Sequence, residues 1–286
     1  MKIGMNLLLW TDVPEKRHLP LIQRIKDWGF DGVELPLDDM SNADVKCYAA
    51  ELGRTGMEAT GIVSMPAGKA DPISEDGVLR QRAVDYVRRC IDIASDLGIA
   101  VIGGPLYQGL GRFTGTGPTE LERQRCVDFC RSIADYAQEK HIVLAGEAIN
   151  RFETYFVNTV EQACEIIDRV ASPNFGLHVD TYHGNMEELD VCAAWLRAGK
   201  RIRHVHISEN TRGIPGTGSA VPQRIFQTLK EIGYDGWLTI EAFGCDVPEL
   251  ASRLHIWREL APPEEIASQG QQYIAQMLAQ TGIPQH

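Results

Sequence analysis

The feature that most constrains this chain is a repeated alternation: eight short β-like runs, each followed by an amphipathic segment of helical length. The β-like runs cover residues 2–8, 32–37, 59–65, 100–106, 142–149, 175–181, 202–208 and 237–243. Helical segments lie between them at 19–28, 42–52, 76–97, 118–140, 159–170, 187–198 and 222–232. An eighth follows the last strand, broken by Pro262-Pro263 and resuming over 264–278. Parallel strands need long crossover connections, usually helices, so strict strand-then-helix order predicts a parallel α/β sheet. Several helical segments stop at a glycine just ahead of the next strand, as at Gly29, Gly98 and Gly233, where glycine can take the left-handed cap. Eight is also the number of strands that closes a barrel, and 286 residues suit one such barrel of about 250 residues. A doubly wound sheet would carry a GxGxxG loop after its first strand, whereas this chain has Leu9-Trp10-Thr11-Asp12 there. No linker or composition break divides the sequence. The expected architecture is a single (β/α)8 TIM barrel over residues 1–286.

Charge and composition narrow the function classes. Lys and Arg number 28 against 39 Asp and Glu, a formal net charge of -11, and no dense run of basic residues occurs. Nucleic-acid binding depends on Lys/Arg contacts to phosphates, so no nucleic-acid partner is expected. The longest apolar stretches, such as 142–145, are far too short to span a bilayer, so no membrane partner is expected either. The opening Met1-Lys2-Ile3-Gly4-Met5-Asn6-Leu7 reads as a strand and not as a secretion leader, which points to the cytoplasm. The 7 cysteines include no CxxC pair and read as free thiols of a reducing compartment.

In barrels of this kind the chemistry is carried at the C-terminal ends of the strands. Ionisable residues gather there in the second half of the chain, and four of the 8 histidines lie between 178 and 206. Side chains alternate between the two faces of a strand, which decides who points inward. Leu144, Gly146 and Ala148 suit the helix-facing side of strand five, which turns Glu147 inward. The same parity puts His178 and Asp180 inside from strand six, His204 and His206 from strand seven, and Glu241 from strand eight. Glu147, Asp180, His206 and Glu241 thus converge on one barrel mouth, a set that is costly to bury without a cation. Three carboxylates and one imidazole form an oxygen-rich site suited to Mn2+, Mg2+ or Co2+. His178 and His204 fall one layer deeper, as core or supporting residues. Strands five and eight sit nearly across the ring, so Glu147 and Glu241 would flank a bound substrate from opposite sides. Two opposed carboxylates suit deprotonation and reprotonation of one carbon, with the cation stabilising the enediolate between the two steps.

The strings Gly-Glu-Ala-Ile-Asn-Arg-Phe-Glu-Thr (146–154), His-Val-Asp-Thr-Tyr-His-Gly-Asn (178–185), His-Val-His-Ile-Ser-Glu-Asn-Thr-Arg-Gly (204–213) and Thr-Ile-Glu-Ala-Phe (239–243) resemble the ketose 3-epimerases. These are the D-tagatose, D-allulose (D-psicose) and L-ribulose 3-epimerases of the xylose-isomerase-like barrel superfamily, and the resemblance runs over most of the chain. It implies Glu147, Asp180, His206 and Glu241 as metal ligands, with Glu147 and Glu241 also the catalytic acid–base pair. It further implies that Glu153, His183 and Arg212 hold the O1–O2 end of a free ketose. The implied metal is Mn2+, with Co2+ or Mg2+ as substitutes, and the implied assembly is a homodimer or homotetramer. The nearest competing activity is an aldose–ketose isomerase of the same superfamily, such as a hydroxypyruvate isomerase. An endonuclease IV-like nuclease would want more histidine ligands and a basic face, and a non-catalytic sugar-binding barrel would not need both bases. The glycine-rich loop 213–218 is expected to close over the barrel mouth, since it lacks the strand–helix context of a phosphate cradle.

Overall fold

The computed structural model describes residues 1–66 and 68–285. Eight parallel strands close into one barrel in sequence order: β1 (Lys2–Asn6), β2 (Gly32–Pro36), β3 (Glu58–Ile62), β4 (Val101–Gly104), β5 (Val143–Glu147), β6 (Phe175–Asp180), β7 (Ile202–Ile207) and β8 (Trp237–Ile240). The ring is sealed by β8 pairing with β1, Thr239 opposite Gly4. Among the described residues, ten α-helices accompany the strands: α1 (Pro20–Asp27), α2 (Asn42–Thr55), α3 (Gly77–Asp96), α4 (Glu120–Glu139), α5 (Val160–Val170), α6 (Thr181–Glu187), α7 (Val191–Ala198), α8 (Gln223–Ile232), α9 (Pro248–Leu254) and α10 (Pro263–Thr281). None of the described helices is long and apolar enough to cross a membrane.

Local sequence explains where these elements begin and end. Thr119 and Glu122 form a reciprocal capping box that starts α4, and Thr159 and Gln162 do the same for α5. On α5, Ala163, Ile166, Ile167 and Val170 recur at helical spacing and form its buried stripe. Burying each of its larger aliphatic side chains contributes about 1.5–3 kcal/mol. Gly29, Gly98 and Gly233 all have positive φ, as the helix-stop reading of the sequence requires. Strand β1 ends two residues earlier than expected, because the Asn6 side chain accepts the Leu8 N–H and opens a short 3-10 turn, Leu7–Leu9. The helix expected over 187–198 begins only at Val191, as α7, and a further short helix, α6, precedes it. Asp180 caps α6 straight after β6 through its bond from the Tyr182 N–H, and Asp190 caps α7.

Inside the barrel, side chains stack in layers that begin with Trp237 at the bottom, fitted against Gly32. Registry then places Glu147 beside His178, His178 beside His204, and Asp180 beside His206. The three imidazoles pack edge to face, with ring centroids 4.1–5.2 Å apart. Gly103 on β4 gives them room, since a Cβ there would lie 2.9 Å from His178 Nδ1 and 3.0 Å from His204 Cδ2. Gly103→Ala should therefore cost roughly 1–3 kcal/mol by overpacking, read as a lower urea midpoint with an unchanged slope. An unchanged midpoint would mean that this layer can yield.

Candidate active site

The upper layer of the barrel brings the seven residues singled out in the sequence to one cleft. Glu147 ends β5, Asp180 ends β6, His206 lies on β7 and Glu241 follows β8 directly. All four are buried. Ligand-type atoms of Glu147, Asp180 and His206 lie within 4.8 Å of one another. His206 Nδ1 is 3.5 Å from Glu241 Oε1 and 4.0 Å from Asp180 Oδ2. The cleft above them has a volume of about 290 Å3 and is lined by Glu147, Glu241, Glu153, His183 and Arg212. Its outer wall is Leu8, Val13, Pro36, Ile62, Leu110 and Phe243, with Asp12, Asp38, Asp39, Ser64 and Arg253 among the polar residues there.

The Glu147 and Glu241 carboxylates have unlike environments. Burial, and then the charge of Glu241, push the Glu147 carboxyl well above the usual carboxylate range. Burial acts on Glu241 in the same direction, but the charges of His206 and Arg212 outweigh it and hold Glu241 below its ordinary value. The two carboxyls are thus shifted in opposite directions by their surroundings. Burial raises Asp180 to about 6, with the Arg212 charge opposing the rise. His206 is raised well above an ordinary imidazole, because the Glu34 and Glu241 charges overcome its burial.

Arg212 is held by several independent contacts. Its Nη1 donates to Asp180 Oδ2 (2.9 Å), Ser208 Oγ (2.9 Å) and Glu241 Oε2 (2.7 Å), and its guanidinium stacks on Tyr182 at 3.8 Å. Its backbone is left-handed, φ 61°, which costs an L-residue about 1–2 kcal/mol. Bonds from the Arg212 N–H to Glu209 O and from the Phe243 N–H to Arg212 O keep it there. The residue expected to grip substrate alone is thus also tied to two of the four candidate ligands. His183 sits on α6, its Nδ1 accepting the Asn150 N–H at 3.1 Å. Its Nε2 lies 3.2 Å from Arg212 Nη2, which can only donate, and 3.7 Å from Glu147 Oε1. Burial, then the Arg212 charge, lower His183 well below its ordinary value. Glu153 accepts from Asn150 Nδ2 at 2.6 Å, so it reaches His183 through Asn150.

Among the described side chains, Glu147 Oε1 and His206 Nδ1 are buried with no hydrogen-bond partner, and both face the four-residue cluster. Unpartnered acceptors beside two further carboxylates fit a hard divalent cation held by Glu147, Asp180, His206 and Glu241. Glu34 on β2 is the main residue of this region absent from the sequence reading. It is fully buried and hydrogen-bonded to both His204 and His206 at 2.7 Å. Burial would raise its carboxyl, but the charges of His206 and His204 and their hydrogen bonds hold it at about 2. The signal was present, since Val33 and Leu35 facing the helices turn Glu34 inward. The loop 213–218 differs from expectation. Glu209 accepts the Gly216 and Ala220 N–H groups, Asn210 accepts that of Ser219, and Gly216 packs on the Tyr273 ring. The loop lies against α10, away from the cleft, and residues 243–254 contribute to the rim instead.

Residues 22–277 match the xylose isomerase-like TIM barrel family. A ketose 3-epimerase from Arthrobacter globiformis is 32% identical over 290 aligned positions, covering 97% of each chain. An L-ribulose 3-epimerase from Methylomonas sp. (strain DH-1) is 33% identical over 251, covering 87% of each. The crystal structure of a D-allulose 3-epimerase from Methylomonas sp. in complex with D-allulose superposes with a TM-score of 0.91 at 30% identity, covering 97% of each chain. With its closed eight-stranded barrel and these relatives along nearly its whole length, the chain belongs to the xylose isomerase-like TIM barrel family, among its ketose 3-epimerases, and is an isomerase.

Proposed function

We propose that this protein interconverts free ketoses at C3, of the D-fructose/D-allulose, D-tagatose/D-sorbose or L-ribulose/L-xylulose type, through a cis-enediolate. The observation that carries this reading is the pair of buried carboxylates, Glu147 and Glu241, reaching one cleft from β5 and from the end of β8. One removes the C3 proton and the other returns a proton to the opposite face. A divalent cation held by Glu147, Asp180, His206 and Glu241, in our reading Mn2+ with Co2+ or Mg2+ as substitutes, supplies Lewis-acid stabilisation of the negative charge that develops on the sugar oxygens. His183 and Arg212 line the cleft, where the Arg212 N–H groups and the His183 ring can hydrogen-bond the carbonyl and hydroxyl oxygens at the O1–O2 end. Glu153 steadies His183 through Asn150. We also propose a cytoplasmic homodimer or homotetramer. Phe152 and Trp257, 75% and 70% exposed, are large apolar groups that an interface would cover.

The test is a panel of ketoses offered to Mn2+-reconstituted enzyme, with products separated chromatographically. C3 epimers should form, and they should vanish on chelation. Aldoses as the main products would replace this reading with an aldose–ketose isomerase. Phosphorylated ketoses should be poorer by roughly tenfold or more in kcat/KM, because Asp12, Asp38 and Asp39 line the outer cleft against Arg253. Equal or better turnover of a phosphoketose would show that the distal end of the cleft holds a dianion.

A further inference from the structure

Glu34 lies outside the four-residue cluster, yet its bonding decides which nitrogen of His206 faces that cluster. Each Glu34 oxygen accepts two bonds. Oε1 takes Thr60 Oγ1 (3.0 Å) and His204 Nε2 (2.7 Å), and Oε2 takes Asn6 Nδ2 (2.8 Å) and His206 Nε2 (2.7 Å). An ionised carboxylate only accepts and offers about four lone-pair sites, so all four partners must be donors. Both imidazoles must therefore carry a proton on Nε2. A neutral His206 then presents the bare lone pair of Nδ1 toward Glu241 Oε1 and Asp180 Oδ2. That is the form in which an imidazole ligates a metal.

We infer that Glu34 is a positioning residue: it fixes the tautomer and ring orientation of His206 so that Nδ1 is the ligating nitrogen, and it braces that ring against His204 through one shared carboxylate. The inference rests on the reading of the cluster as a divalent-cation site, and it is independent of which sugar is turned over. A glutamine at 34 would set an amide N–H against one of the two Nε2–H groups. That ring would be pressed to turn or to move its proton to Nδ1, where a proton blocks ligation. The Thr60 hydroxyl, by contrast, can rotate to suit a changed partner.

The test is a Mn2+ titration of the full-length protein by calorimetry, with Glu34→Gln compared with Thr60→Val. The valine variant removes one bond from the same carboxylate and spares both imidazoles. Glu34→Gln should weaken Mn2+ binding by about 10–100-fold, and Thr60→Val by less than about threefold. Equal losses in the two variants would reduce Glu34 to a structural role, and undiminished binding in Glu34→Gln would overturn the inference. Should Glu34→Gln fail to fold, the wild-type protein still decides the matter. With 15N-labelled histidine and saturating Mg2+, the His206 ring must show its proton on Nε2, and a proton on Nδ1 overturns the inference. If the wild type binds neither Mn2+ nor Mg2+, the cation-site reading falls and takes this inference with it. If it binds Mn2+ but epimerises no ketose, the proposed function fails while Glu34 is still tested in full.

Discussion

Glu147→Gln and Glu241→Gln enzymes should each lose net epimerisation in both directions, by about 10²–10⁴-fold, the usual worth of a positioned acid–base group. The reason is geometric. The two carboxylates come from β5 and from the end of β8, and a proton removed from one face of C3 must be replaced on the other. Under the proposed scheme every turnover uses both residues, whichever epimer enters. Glutamine keeps an oxygen in place of the carboxylate, so much of the site's shape survives while the base is lost. What remains is half a reaction. Each mutant should still exchange the C3 hydrogen with D2O for the one epimer whose proton faces the surviving carboxylate. The two mutants should thus prefer opposite epimers when exchange is followed by NMR or mass spectrometry. Identical preferences, or net epimerisation near the wild-type rate in either mutant, would replace the two-base scheme with a single-base or hydride path. The unlike environments of the pair bear on the same experiment. Burial and the Glu241 charge shift the Glu147 carboxyl upward, while His206 and Arg212 shift that of Glu241 downward, so the two substitutions remove groups of unlike basicity.

What could be read in advance follows a simple physical division. Strand parity depends only on neighbouring residues. It therefore pointed Glu147, Asp180, His206 and Glu241 inward from apolar positions such as Leu144 and Val205, both fully buried. The same rule applies to Glu34 between Val33 and Leu35, but Glu34 lies mid-strand and its partners His204 and His206 lie some 170 residues away, so its neighbours give no sign of its role. Arg212 shows where local rules stop. Its left-handed backbone and its bonds to Asp180 and Glu241 arise from the closure of the ring, and no neighbouring residue announces them. The start of α6 is a related case. Asp180 reads as the last inward residue of a strand and also caps a helix through the Tyr182 N–H, so one side chain serves two elements. The position of the loop 213–218 is likewise set by a contact that its own residues do not announce. Its glycines signal flexibility, whereas Glu209, buried beneath it, takes its amides and turns it toward α10.

Asp180→Asn and His206→Ala should lose tight cation binding and nearly all activity while remaining folded, and the two should differ in an informative way. Asparagine caps a helix about as well as aspartate, so α6 should persist in Asp180→Asn. The change removes one of the three carboxylate charges of the cluster and the Asp180 bond of Arg212. His206→Ala removes the only imidazole of the four-residue set and strips one of four donors from the buried Glu34 carboxylate. An unsatisfied buried acceptor costs about 1–3 kcal/mol. His206→Ala should therefore melt several degrees below Asp180→Asn, even though both bind Mn2+ worse by roughly two orders of magnitude or more, beyond the effect of losing an outer partner. Calorimetric titration with Mn2+ and thermal melts of the chelated proteins read the two quantities separately. Neither barrel should unfold, because the bulk of the core lies between strands and helices, away from the cleft. Wild-type affinity and stoichiometry for Mn2+ in both variants would remove Asp180 and His206 from the ligand set. Loss of binding with equal melting temperatures would instead keep the ligands and show that Glu34 finds another donor when His206 is gone.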